Sequence, residues 1–305
     1  MKRFSSVTTT QIARICGVSQ GTVDRALHDR AGIAPATKER ILEVAREFSY
    51  VPSLQGRIST GRSMLIGVVL YDLYNAFFSK LAMSLVNAFQ EVGYSVIFQF
   101  SDKSLSAERA ALEYFNYVGV DGIVLFSVGS DDGTYLSFLR SMMCPTVTVG
   151  NRMTGLPYIG VDDAQAMYDL TLQMAQECES GELVYFAPAL RRELHTLNAQ
   201  RLRFAGFCQA AEECGRTWRL ATDASTLSLD CGGIVCSTDH YAHLARRQLG
   251  VDGAIPIAGF DCVSFSSEEG VMTVEYSTDR IARECGNYIL RRNFDPRIPH
   301  TVHRM

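Results

Sequence analysis

Long apolar runs are missing from this 305-residue sequence, and no stretch approaches the ~20 consecutive apolar residues of a membrane-spanning helix. Lys2 and Arg3 near the start have no apolar segment behind them, so no secretory leader and no membrane partner are expected. The CxxC spacing is absent, although nine Cys are scattered from Cys16 to Cys285. An odd, unpatterned set points to small buried thiols in a reducing cytosol rather than to a disulfide framework. GxGxxG and GxxxxGK[ST] are absent too, so dinucleotide and P-loop sites lack their glycine cradles. His240-x-x-His243 lacks the intervening Glu of a zinc peptidase and reads as a helical surface pair. No cofactor, no metal and no catalytic residue are therefore expected. What the chain does have is 47% hydrophobic and 20% charged residues, which excludes a disordered or supercharged polymer. Its length suits two or more domains.

The net charge of −4 conceals an asymmetry. Residues 1–62 carry ten Lys and Arg against five acids, a net of +5; the remainder carries nineteen against twenty-eight, a net of −9. A basic head on an acidic body points to two domains with different partners.

The head reads as three short helices. Thr8-Thr9-Thr10-Gln11 fits a capping box, with a hydroxyl cap and a Gln three residues on. Ile12, Ala13, Ile15 and Cys16 supply an apolar face, and Gly17 suits a left-handed stop. Ser19 can cap a second helix with Val23, Ala26 and Leu27 inward. Pro35 suits the first turn of a third helix, with Ile41, Leu42, Ala45 and Phe48 on its inner side. Two short helices joined by a tight turn make a helix-turn-helix. Its second helix presents Gln20, Gly21, Thr22, Asp24 and Arg25 outward. Arg grips guanine and Gln grips adenine through paired hydrogen bonds. Thr8, Thr9, Ser19, Thr22 and His28 have donors for phosphates. Any one of these alone would be a solvated helix face; together, on a +5 segment, they point to double-stranded DNA. Gly17-Val18-Ser19-Gln20-Gly21 also matches GxSxG, but a nucleophile elbow needs a preceding strand, and here a helix is expected.

The stretch from Val7-Thr8 to Leu27, with Ile12-Ala13, Cys16-Gly17-Val18-Ser19 and Thr22-Val23-x-Arg25-x-Leu27, resembles the headpiece of the lactose-repressor (LacI/GalR) family of bacterial transcription regulators. Tyr50-Val51-Pro52, Thr60-Gly61-Arg62-Ser63, Asn75-Ala76-Phe77-Phe78, Gly160-Val161-Asp162, Arg203-Phe204-Ala205-Gly206-Phe207 and Ala258-Gly259-Phe260-Asp261 continue the match in order along almost the whole chain. The resemblance implies a repressor that is a cytoplasmic, nucleoid-associated homodimer. It would read a near-palindromic operator and respond to a small molecule, most simply a sugar. It implies a head over 1–50, a hinge over 51–62 and an effector and dimerisation domain over 63–305. The family's hinge wedges a Leu into the minor groove; Ile58 is the nearest counterpart here. The sequence departs from the family at Asp24, at Ala34, and in a short hinge containing Gly56.

The body alternates apolar runs with amphipathic stretches. Runs fall at Met64–Leu70, Ser95–Phe100, Gly122–Phe126, Thr146–Val149, Leu183–Phe186, Gly233–Cys236, Ile255–Gly259 and Val271–Val274. Continuous apolar strands between helices indicate doubly wound parallel sheets, and the resemblance implies two α/β subdomains of the type I periplasmic-binding-protein kind. The break is expected near 162, with the chain returning to the first half near 277–293. Ligands of such sheets sit beyond the strands' carboxyl ends. That rule and the resemblance select Asp72, Asn75, Phe77, Ser127, Asn151, Arg152, Arg203, Thr238, Asp239 and Asp261. Asp162 and Asp239 read equally as helix caps. The competing class is an α/β sugar- or nucleotide-binding enzyme with an incidental basic head; loss of DNA binding on deleting residues 1–60, with no turnover of any bound sugar, would favour the regulator over it.

Overall fold

The computed structural model describes residues 7–27, 30–48, 62–129, 132–178, 180–188, 198–250, 255–263 and 270–304. His28 and the hinge segment with Ile58 lie outside the described residues. The chain divides into two compact units, Met1–Gly61 and Arg62–Met305.

In the first unit, α1 (Thr9–Cys16), α2 (Gln20–Leu27) and α3 (Pro35–Glu47) pack against one another. The capping box forms: Gln11 N–H donates to Thr8 Oγ1 at 3.3 Å, and Thr8 N–H donates to Gln11 Oε1 at 2.8 Å. Gly17 ends α1 at φ +67°, where a side chain would be strained. Ser19 Oγ accepts from Thr22 N–H and starts α2. Ile12, Ala13, Cys16, Val23, Ala26, Ile41 and Ala45 form a small closed core. Four expected core residues are not in it: Leu27 packs against it half-buried, Leu42 is half-buried, and Ile15 and Phe48 are 45% and 44% exposed. The last two lie at helix ends, where the apolar period runs past the faces that the three helices share.

The second unit holds two sheets. The first has order β2-β1-β3-β4-β5, all parallel, from β1 (Leu65–Leu70), β2 (Ser95–Phe100), β3 (Gly122–Leu125), β4 (Thr146–Val149) and β5 (Tyr158–Ile159). Helices α4 (Ala76–Gln90), α5 (Leu105–Val118) and α6 (Gly133–Arg140) connect them. The second has order β11-β10-β9-β8-β6-β7, from β6 (Leu183–Phe186), β7 (Trp218–Ala221), β8 (Gly233–Cys236), β9 (Ile257–Ala258), β10 (Met272–Tyr276) and β11 (His300–Arg304). It is parallel except for β11, which runs antiparallel to β10 at the edge. Around it lie α7 (Asp163–Glu177), α8 (Asn198–Glu213) and α9 (Asp239–Leu249). The last helix, α10 (Thr278–Ile289), packs on α4 and on strands of the first sheet.

All the apolar runs became strands. Three strands were not foreseen. β5 is only two residues long, β7 is half exposed, and β11 is a polar edge. None presents a continuous apolar run. The lobes are joined where the chain passes Gly160, where β10 leads into α10, and again near Pro296–Ile298. There Gly160 N–H donates to Pro296 O at 3.2 Å and Ile298 N–H to Gly160 O at 3.1 Å.

Candidate functional site

Each unit presents one site. In the head, the outward face of α2 carries Gln20, Gly21 and Arg25 exposed, with Thr22 and Asp24 partly so. Gln20 Nε2 donates to Thr9 Oγ1 at 3.0 Å, which ties the start of α2 to α1. Asp24 meets Arg30 at 3.3 Å, so its charge is offset within the head. That offset softens the phosphate repulsion that an acid on this face would otherwise cause. Ser19 is preceded by a helix and bonded as a cap, which removes the nucleophile-elbow reading.

In the body, the strand orders place both sheets' carboxyl ends around one cavity of about 240 Å³. That is at the small end for small-molecule sites. From the first sheet come Tyr71 and Asp72 after β1, Lys103 after β2, Phe126 after β3 and Asn151 after β4. From the second come Thr238 after β8, Asp261 after β9 and Tyr276 ending β10. Helix starts add Asn75, Phe77, Gln200, Arg203 and His240.

Arg203 dominates the polar wall. It is 7% exposed, and Nε donates to Asp163 Oδ1 at 2.8 Å, Nη1 to Ser237 O at 2.8 Å, while Nη2 lies 3.4 Å from Asp261 Oδ1. Its guanidinium sits 3.6 Å over the Phe260 ring. Two carboxylates share this one cation. Burial pushes both up, Asp163 above the usual carboxylate range and Asp261 to about 7, against the lowering pull of Arg203. Asp261 also accepts from Tyr276 Oη at 2.9 Å and holds φ at +107°. Such a backbone state in a non-glycine residue costs ~1–3 kcal/mol and clusters at ligand sites.

Other predicted residues line the cavity while shaping its wall. Asp72 Oδ1 accepts from Tyr74 and Asn75 N–H, and Asn75 caps α4 through Phe77 N–H at 3.0 Å. Thr238 caps α9. Asn151, 1% exposed, donates to Ser127 O at 2.8 Å and accepts from Asn198 N–H at 2.9 Å, linking the lobes.

Three selected residues are not on this wall. Ser127 is fully buried and donates to Glu108 at 2.7 Å. Asp239 is 1% exposed; its carboxylate accepts from Thr273 Oγ1 at 2.8 Å and Val263 N–H at 3.0 Å, pinning the loop after β9. Both follow strand ends, but their side chains turn into the sheet, where buried polar atoms find partners. Arg152 stacks on Tyr158 in a neighbouring groove. Asp162 caps α7 through Gln165 N–H. Sequence reasoning missed Lys103, Gln200 and Tyr276. Among the described residues, Gln200 Oε1 is buried with no hydrogen-bond partner. Burial pushes the His240 imidazole down, so the ring is neutral near pH 7.

Among the described residues no helix is long and apolar enough to cross a membrane, and no group of three or more His, Cys, Asp or Glu is placed to hold a metal ion.

Comparison with known proteins gives the family. The family described as "Bacterial regulatory proteins, lacI family" matches residues 8–53. The family described as "Periplasmic binding proteins and sugar binding domain of LacI family" matches residues 63–227. The HTH-type transcriptional regulator IdnR of Escherichia coli (strain K12) is 24% identical, over 92% of this chain and 91% of its own. The sucrose operon repressor of Klebsiella pneumoniae is 26% identical, over 70% of this chain and 63% of its own. Among solved structures, the lac repressor dimer bound to operator and an anti-inducer matches with a TM-score of 0.81 at 18% identity, covering 98% of both chains. With one family model matching the helix-turn-helix head and the other matching more than half of the chain in the two-lobed body, this chain is a DNA-binding transcriptional regulator and a member of the LacI family.

Proposed function

We propose that the cavity takes a small polyhydroxylated molecule, a sugar or sugar derivative, and that its occupation changes the affinity of the head for a near-palindromic operator. The observation that carries this reading is the polar wall itself. Arg203, Asp261, Asn151, Thr238 and the unpartnered Gln200 oxygen converge opposite Phe77, Phe78 and Tyr276. Fixed donors and acceptors beside aromatic faces are what sugar hydroxyls and ring C–H faces require. The wall is drawn from both lobes, so a guest favours one lobe angle over another and shifts their populations.

In the head, Gln20 and Arg25 read bases, Asp24 accepts from a cytosine amino group, and Thr8, Thr9, Ser19 and Thr22 set register against the phosphates beside Gly21. The same reading places the protein in a bacterial cytoplasm at the nucleoid, as a homodimer spanning two half-sites, with the hinge over 51–62. It turns over no bound sugar. The test is a thermal-shift screen of the full chain against neutral sugars and sugar derivatives, followed by mobility shift on its operator with the hit. The expected outcome is a melting temperature that rises with ligand concentration and a changed operator affinity. A hit that stabilises the body but leaves operator affinity unaltered would overturn the coupling, and consumption of the hit would favour the enzyme.

A further inference from the structure

The body has a second opening that the sugar reading does not use. It is a broad groove of about 1250 Å³ along the chain crossings between the lobes. Four arginines line it: Arg152 after β4, Arg201 on α8, Arg280 on α10 and Arg297 on the crossing segment. His300 adds a fifth nitrogen group. The facing acids are fewer. Asp295 is taken by Arg280 at 2.7 Å, and Asp162 is taken as the cap of α7. His300 is held by Asp169 at 2.9 Å. Arg152 rests on the Tyr158 ring. Among the described residues, Arg201 and Arg297 are exposed and no acid neutralises their guanidinium groups.

This concentration of cations stands in a body whose net charge is −9. Without a role, so basic a groove would be out of character with that surface. A long polyanion would be repelled by the rest of the body. A small anion of high charge would meet only the groove. Guanidinium forks match phosphate oxygens in pairs, better than a single carboxylate can fill four of them. We propose that this groove is a second binding site, distinct from the cavity, for a small phosphorylated metabolite. Arg201 and Arg297 grip the phosphate, and Arg152 and Arg280 complete the field.

Inorganic pyrophosphate is the probe, titrated calorimetrically into the full-length protein at constant ionic strength balanced with chloride. The expected result is saturable binding at one site per chain, weakened tenfold or more in the R201Q/R297Q double variant. Both side chains are exposed, so the melting temperature of the variant should be unchanged. If it drops, the R201Q and R297Q single variants carry the comparison. Absence of saturable binding would overturn the proposal. So would equal binding by wild type and variant, which would put the anion on the head or in the cavity.

Discussion

Arg203 and Asp261 belong to one buried network, and their variants should differ in kind. Arg203→Ala leaves two buried carboxylates without their shared cation. Breaking a buried pair from one side typically costs ~3–5 kcal/mol. Urea unfolding should therefore show a loss of that size, and an unchanged midpoint would refute the network. The variant is thus a stability lesion before it is a probe of ligand contact. Asp261 predicts a pH dependence. An unfolded Asp ionises near pH ~4, whereas Asp261 in the fold keeps its proton up to about pH 7. Between those values the folded state binds the extra proton. Stability from this residue therefore falls as pH rises from ~4 towards 7, with the full penalty above it. Asp261→Asn should flatten that part of the melting-temperature profile. Parallel profiles for the two proteins would show that Asp261 ionises normally.

Elements explain a glycine that the family motif carries without giving its reason. Gly206, in Arg203-Phe204-Ala205-Gly206-Phe207, lies where α8 crosses α7. A Cβ there would stand 2.1 Å from the Ala164 carbonyl oxygen and 3.1 Å from Tyr168 N. Backbone cannot swing aside as a side chain can, so Gly206→Ala must separate two helices. Overpacking of this sort costs ~1–3 kcal/mol. A melting temperature equal to wild type would mean the helices part freely. The same scale shows what was readable beforehand. The Thr8–Gln11 cap and the strands β1 to β4 announced themselves, because caps and apolar runs are local patterns. β7 and β11 did not, because their stability comes from pairing at sheet edges. Lys103 entered the cavity unannounced for a related reason. It sits with Asp102 in a turn where both residues have positive φ, at +59° and +45°. Nothing in their side chains marks that conformation. Arg203 was legible as a ligand candidate, yet its bond to Asp163 joins residues forty positions apart.

On the scale of the whole molecule, the +5 head and −9 body should confine contact with DNA to the first ~60 residues, because a long polyanion is repelled by the body as a whole. Each phosphate neutralised on duplex DNA contributes a slope of ~0.9 in log affinity against log salt. Operator binding should accordingly weaken steeply between low and physiological salt. Arg25→Ala should relax base preference in selection from random duplexes, because a base-reading arginine supplies ~1–3 kcal/mol of discrimination. Unchanged selection would move Arg25 to the backbone-contact class.

The crossing segments have one more consequence. Gly160 is bonded on both sides to the returning strand, through Pro296 and Ile298. Two crossings joined this way form a leaf spring rather than a pair of loose cords. A bonded ribbon resists shear and torsion but bends easily across its face. Such a pairing favours opening and closing of the lobes over twisting between them. A guest in the cavity has only to choose a position along that path, and little of its binding energy is dissipated into other motions.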